Sequence, residues 1–233
     1  MAFIEIRNLK RRYIMGDTIV RALDGISLTV EKGEFVALMG PSGSGKSTLL
    51  NLLGGLDTPT EGEIWVAEEN IGAYDENALA SYRQRMIGFV FQSFNLIPTM
   101  TALQNVTYPM MFAGVSPAER DERARKLLRA VGLGQRIDHK PTELSGGQQQ
   151  RVAMARSLVN SPAILLGDEP TGNLDSKTGE EILTMLERLN EAGQTIILVT
   201  HDPRVLPYAR RTVRMLDGHI VGDDITTAEE RPQ

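Results

Sequence analysis

The 233-residue chain carries 41% hydrophobic and 24% charged residues, ordinary usage that excludes a disordered polymer and requires a packed core. Its formal charge of −5 excludes a protein whose main partner is a nucleic-acid backbone, because such binders concentrate Lys and Arg; any anion must be held locally, by backbone amides and a few side chains. The absence of cysteine excludes disulfides and thiolate metal sites, and no apolar run approaches the roughly 18–20 residues needed to span a bilayer.

The opening, Met1–Arg12, runs apolar and then basic, the reverse of a secretory leader, so export is not expected. Phe3–Leu9 alternates apolar and charged residues and Val20–Val30 reads as a second strand, together an antiparallel sheet with one wet face. Tyr13, just before Gly16, reads by spacing as a partly buried sheet tyrosine, with an aromatic face that could stack on a base. Phe35–Met39 is uniformly apolar and ends at glycine, the pattern of a parallel strand covered on both faces. Gly40-Pro41-Ser42-Gly43-Ser44-Gly45-Lys46-Ser47 follows and matches G-x-x-x-x-G-K-[ST], leading into an apolar helix from Thr48 to Leu53. Glycines let such a loop curl until successive N–H groups converge on phosphate oxygens, at a helix N-terminus that adds positive potential. Lys46 would reach the β- and γ-phosphates as a point charge, and the Ser47 hydroxyl would enter a magnesium shell.

Gln92 closes the run Gly88–Phe91, at the border of an inserted helical region of roughly residues 93–143. Within it, Ser116-Pro117 signals a helix start, and Ala124, Leu127, Leu128 and Val131 form one face of an amphipathic helix over Pro117–Val131 to which no chemistry is assigned. Leu144-Ser145-Gly146-Gly147-Gln148 precedes a helical pattern over Gln149–Asn160, a second set of small residues and free amides at a helix start. Ile164–Leu166 is a buried strand that delivers Asp168 and Glu169 to its carboxyl end, where ligands sit in open α/β sheets. Asp168 would hold magnesium, and Glu169 would accept a proton from an attacking water. Thr195–Val199 is a third buried strand, and His201 follows it at the carboxyl edge, where it could contact the γ-phosphate and orient the water. Asp223–Gln233 is polar and aperiodic, a frayed tail without function.

The set Gly40–Ser47, Gln92, Leu144–Gln148, Asp168-Glu169, Gly172-Asn173-Leu174-Asp175 and His201, in this order, resembles the ABC ATPase cassette over nearly the whole chain. That resemblance implies a single α/β domain with a P-loop NTPase (RecA-like) core and mainly parallel sheet. The core takes residues 1–92 and 144–222 with an N-terminal antiparallel β-subdomain, and the helical subdomain takes 93–143. It also implies that Ser145–Gln148 of one subunit close over the γ-phosphate held by another subunit, burying two ATP molecules in a head-to-tail dimer. Tyr13 would stack on adenine, Gln92 would link magnesium and water to the permease contact, and the loop ending at Asp175 would couple the two sites. Gly167 stands where the family often has alanine. The runs Phe89–Pro98, Gln148–Arg151 and Asp168–Ser176 are similar to the branch energising lipoprotein-release and macrolide-efflux systems.

The implied function is ATP hydrolysis that drives a separate transmembrane permease, with the chain at the inner face of the cell membrane through that permease alone. Cassettes of DNA repair and translation carry a long coiled-coil insertion or a second cassette, neither present in this sequence. A regulator of cell-envelope hydrolases would run the same chemistry on a non-transporting membrane partner, and a scaffold without turnover would not need both Glu169 and His201.

Overall fold

A computed structural model describes residues 2–225. In chain order the elements are β1 (Ile4–Met15), β2 (Thr18–Val30), β3 (Phe35–Met39), α1 (Lys46–Leu53), β4 (Glu61–Val66), β5 (Glu69–Asn70), α2 (Glu76–Met86), β6 (Ile87–Phe91), α3 (Ala102–Phe112) and α4 (Pro117–Ala130). They continue with α5 (Gly146–Leu158), β7 (Ile164–Asp168), α6 (Ser176–Glu191), β8 (Thr195–Thr200), β9 (Arg211–Leu216) and β10 (His219–Ile225). The chain forms two compact units, one holding everything up to Tyr82 and from Leu186 onward, the other Arg83–Met185.

In the first unit, β2-β1-β4-β5 make an antiparallel sheet. Ile4, Ile6 and Leu9 on β1, with Leu23, Ile26, Leu28 and Val30 on β2, are all buried, and each fully buried Leu or Ile contributes about 1.5–3 kcal/mol before entropy is counted. The alternation of Ile4, Glu5 and Ile6 is the period-two signal of a sheet with one wet face. The same unit holds β3 between β8 and β9, parallel to both, with Met39 level with Thr200. Phe35–Leu38 and all of β8 are buried, as strands covered on both faces require.

The second unit pairs β6 and β7 in parallel, with Phe91 level with Asp168. Helices α3, α4 and α5 share a core that includes Val106, Met110, Ala124, Leu128, Val152 and Ala155. Ser116 caps α4 by accepting from the Glu119 N–H, and Pro117 occupies its first turn, so the start signal and apolar stripe both act as expected.

Three expectations change. The helix after the glycine loop begins at Lys46, two residues before Thr48, because left-handed Gly45 already turns the chain into the first turn. The later helix begins at Gly146, three residues before Gln149, because Ser145 caps it. The expected polar tail is a strand as far as Ile225: Arg211 donates from Nε and Nη2 to the two carboxylate oxygens of Asp223, each at 2.7 Å, and also bonds the Thr29 carbonyl and Glu34. That paired guanidinium fixes β10 against β9 and holds the Asp223 carboxyl below its ordinary range. Residues 226–233 of the same tail lie outside the described residues. Strands β4, β5, β6 and β9 and helices α2, α3 and α6 were not foreseen as individual elements.

Candidate active site

The Gly40–Ser47 loop curls around the ammonium of its own lysine. Lys46 is 7% exposed, and its Nζ donates to the carbonyls of Gly40 and Pro41, each at 2.8 Å, and to Ser44 Oγ at 3.4 Å. A Cβ at Gly40 would stand 2.2 Å from the Met215 carbonyl oxygen, and one at Gly45 2.4 Å from that of Ala22, so neither position admits a side chain without backbone movement. Gly45 also has φ 98°, a region that favours glycine. The turn between β9 and β10 braces the loop, because the Gly218 N–H donates to the Ser44 carbonyl. Amides at the α1 N-terminus and one buried cation thus converge at the carboxyl end of β3, an arrangement suited to a polyphosphate.

His201 arrives at the same edge. Since Met39 pairs with Thr200, the first residue of the glycine loop and His201 each leave the sheet at the same level. The following turn is closed by its own side chains: the Asp202 N–H donates to Thr200 Oγ1, and the Asp202 carboxylate takes the Arg204 N–H and guanidinium. The guanidinium and the N–H of Arg204 hold that carboxyl below its ordinary range.

The second unit makes a parallel construction. Because Phe91 pairs with Asp168, Gln92 and Glu169 are the first residues past the ladder on neighbouring strands. Gln92 Nε2 donates to Asn173 Oδ1 at 3.3 Å, and Asn173 Nδ2 returns a bond to the Gln92 carbonyl at 3.0 Å. Glu169 has φ 47°, a left-handed conformation unusual for a glutamate, and its carbonyl accepts from the Gly172 N–H in the turn that follows. Strain of this kind persists where surrounding structure over-determines the residue, and here a buried strand and a tight turn bracket it.

Leu144–Gln148 is built as a cap. Ser145 Oγ accepts from the Gln148 N–H while Gln148 Oε1 accepts from the Ser145 N–H, a reciprocal box that fixes the start of α5 and leaves Gly146 and Gly147 in its first turn. Asp175 caps α6 from one side only, accepting from the Thr178 hydroxyl at 2.6 Å and the Thr178 N–H at 3.0 Å, bonds that lower its carboxyl pKa. The two caps meet: a Cβ on Gly147 would lie 2.2 Å from Thr178 Cγ2. Gly147→Ala is therefore expected to destabilise the fold by about 1–3 kcal/mol, and adding Thr178→Ser, which deletes that methyl and keeps the hydroxyl, to restore it. Denaturant unfolding of the single and double variants checks this; equal stability of the two would contradict it.

Residues 23–172 match the ABC transporter family. The chain belongs to that family. It is an ATP-binding, ATP-hydrolysing cassette with a P-loop NTPase core. The cassette is 51% identical over 233 residues to a macrolide export ATP-binding/permease protein, MacB, of Hyphomonas neptunium, covering 99% of this chain and 36% of that relative; it thus spans about a third of the length of such a relative. It is also 51% identical to an uncharacterised ABC transporter ATP-binding protein of Thermotoga maritima, covering 94% of each. Among solved structures it resembles the ATP-binding cassette MJ0796 of Methanocaldococcus jannaschii, described as a dimeric post-hydrolysis state bound to ADP and Pi. That likeness has a TM-score of 0.90 at 46% identity, over 97% of this chain and 99% of the other.

Of the residues singled out in sequence, the cassette's glycine loop and His201 follow the carboxyl ends of β3 and β8 in the first unit, and Gln92, Asp168 and Glu169 stand at the carboxyl ends of β6 and β7 in the second. Tyr13 is half-buried on β1. Its hydroxyl donates to Asp57 at 2.7 Å, and the Arg11 guanidinium lies 4.6 Å from its ring centroid, so one ring face already has a cation against it. Sequence reasoning missed Thr178, Arg156 and Gln150, and took Asn173 only as part of a loop. Asn173 and Thr178 carry no sequence signal of their pairing. Gln150 does: it shares a buried helical stripe with Ala153, Met154 and Ser157, and a polar side chain on such a stripe needs an internal partner.

Proposed function

We propose that the cassette uses Gly40–Thr48 to hold the phosphates of ATP and closes against a second copy head to tail, each copy placing Ser145–Gln148 over the γ-phosphate bound by the other. The observation that supports this most directly is the glycine loop drawn around Lys46 at the start of α1. Glu169 accepts the proton of the attacking water, His201 orients that water, and Lys46 with the loop amides stabilises charge on the transferring phosphoryl group. Tyr13 offers its remaining ring face to adenine, opposite Arg11. Asp175, at the cap of α6, couples the two sites of the dimer.

The donors fit magnesium. The Ser47 hydroxyl, an Asp168 carboxylate and the Gln92 amide are hard oxygen donors, with Gln92 Nε2 committed to Asn173 so that Oε1 is the atom a cation would meet. The described residues contain no cluster of three or more His, Cys, Asp or Glu able to cage a metal, as suits an ion that keeps waters and leans on substrate phosphates. When bound it neutralises charge on the β- and γ-oxygens.

No helix among the described residues is long and apolar enough to cross a membrane. We place the membrane function in a permease outside these residues, reached through Gln92 and the helices of residues 93–143, with the cassette on the inner face of the cell membrane. The name of the Hyphomonas relative and the branch resemblance support an export or force-transmitting system. Steady-state phosphate release tests the catalytic part: specific activity is expected to rise with protein concentration, because each site needs a second copy, and to vanish in EDTA. Activity independent of both protein concentration and magnesium would overturn it.

A further inference from the structure

Gln150, in the second turn of α5, is completely buried. Its Nε2 donates to two backbone carbonyls, those of Phe91 at 3.3 Å and Pro170 at 2.5 Å. Only the NH2 end of an amide can serve two carbonyl oxygens, so its orientation is dictated by chemistry. Its Oε1 is buried with no hydrogen-bond partner among the described residues, so the side chain is held by its donors alone. The acceptors are telling. Phe91 immediately precedes Gln92, and Pro170 immediately follows Glu169. The β6–β7 ladder runs out at Phe91 and Asp168, and Pro170 has no N–H with which to extend it. The two chains leaving the ladder are bridged at that point by one side chain from the helix that Ser145 begins. A second tether lies on the same helix, where Arg156 donates to the carbonyls of Phe94 and Asn95 at 2.8 and 2.5 Å, consecutive residues with φ 59° and 49°.

We propose that Gln150 is a positioning residue for ATP hydrolysis: by bonding the carbonyls of Phe91 and Pro170, the residues next to Gln92 and Glu169, it fixes both side chains relative to each other and to α5. This rests on the roles given to Gln92 and Glu169 above. Gln150 touches no reacting atom; it acts through the backbone, where a misplacement of about 1 Å is enough to lower a rate roughly 100-fold.

Gln150→Met keeps the length of the side chain and removes the donors. The expected result is a kcat roughly 10- to 100-fold lower with a KM for ATP changed less than about threefold, the split expected when an interaction matters in the transition state rather than in ground-state binding. Rates are normalised to nucleotide-binding-competent protein, so a packing defect that only lowers the folded fraction leaves kcat unchanged. Added to Glu169→Gln, the same substitution is expected to lower the residual rate by less than about threefold, because the two act through one step. Should Gln150→Met not fold, Gln150→Glu gives a pH signature: the protonated carboxyl can donate one bond and the carboxylate none, so its kcat relative to wild type is expected to rise as pH falls. Wild-type kcat in Gln150→Met, full additivity with Glu169→Gln, or a flat pH ratio would overturn the assignment. If Glu169→Gln itself turned over normally, the reading of Glu169 would fail instead; an inactive Glu169→Gln beside a fully active Gln150→Met rejects Gln150 alone.

Discussion

Glu169→Gln is expected to retain ATP binding, to reduce phosphate release by roughly 10²–10⁴-fold, and to accumulate as an ATP-bound dimer. The substitution is close to isosteric and leaves the backbone requirement at φ 47° unchanged, so the loss isolates proton acceptance. A factor of that size corresponds to about 2.7–5.5 kcal/mol in the barrier. The buried strand before Glu169 and the Gly172-to-Glu169 turn after it hold the side chain whether or not it can accept a proton, which is why affinity and turnover should separate. Single-turnover phosphate release with size-exclusion chromatography in ATP measures both. Turnover at the wild-type rate would remove Glu169 from its role.

Lys46→Ala is expected to weaken ATP binding by roughly 10²–10³-fold. Two charge-assisted bonds to phosphate at about 1.5–3 kcal/mol each would account for that loss, and the structure adds a second reason. The ammonium bridges the Gly40 and Pro41 carbonyls and the Ser44 hydroxyl, so its removal also releases the curl that aims the loop amides. Lys46→Arg is expected to fail nearly as badly, because a planar guanidinium cannot replace a compact charge that is 7% exposed inside the turn. Equilibrium binding at fixed magnesium checks both variants, and near-normal affinity in Lys46→Ala would contradict the loop's role.

Local patterns carried most of the architecture. Phe35–Met39, Ile164–Leu166 and Thr195–Val199 were legible as buried strands because two-faced burial leaves no room for polar alternation, and all three are strands. The Ser116-Pro117 start and the stripe of Ala124 and Leu128 were legible for the same kind of reason. Ser145 was read as part of an anion-seeking helix start, but its reciprocal bond with Gln148 was not, and so the helix was placed three residues late. Asp223 looked like the start of a loose end because the partner that orders it, Arg211, is a separate strand's residue. Side-chain to backbone bonds such as Gln150 to Pro170 depend on which carbonyls a sheet leaves unpaired, and one sequence does not display that. The motifs and their order were enough to suggest the family; the register that sets Gln92 beside Glu169 and His201 beside Gly40 came from the fold.

Equilibrium titration of the purified chain with ATP in the presence of magnesium, run beside Lys46→Ala, tests the central claim most directly. Saturable, stoichiometric uptake by the wild-type chain that is lost in the variant is the predicted result. No uptake by the wild-type chain, alone or with a membrane partner supplied, would contradict the account.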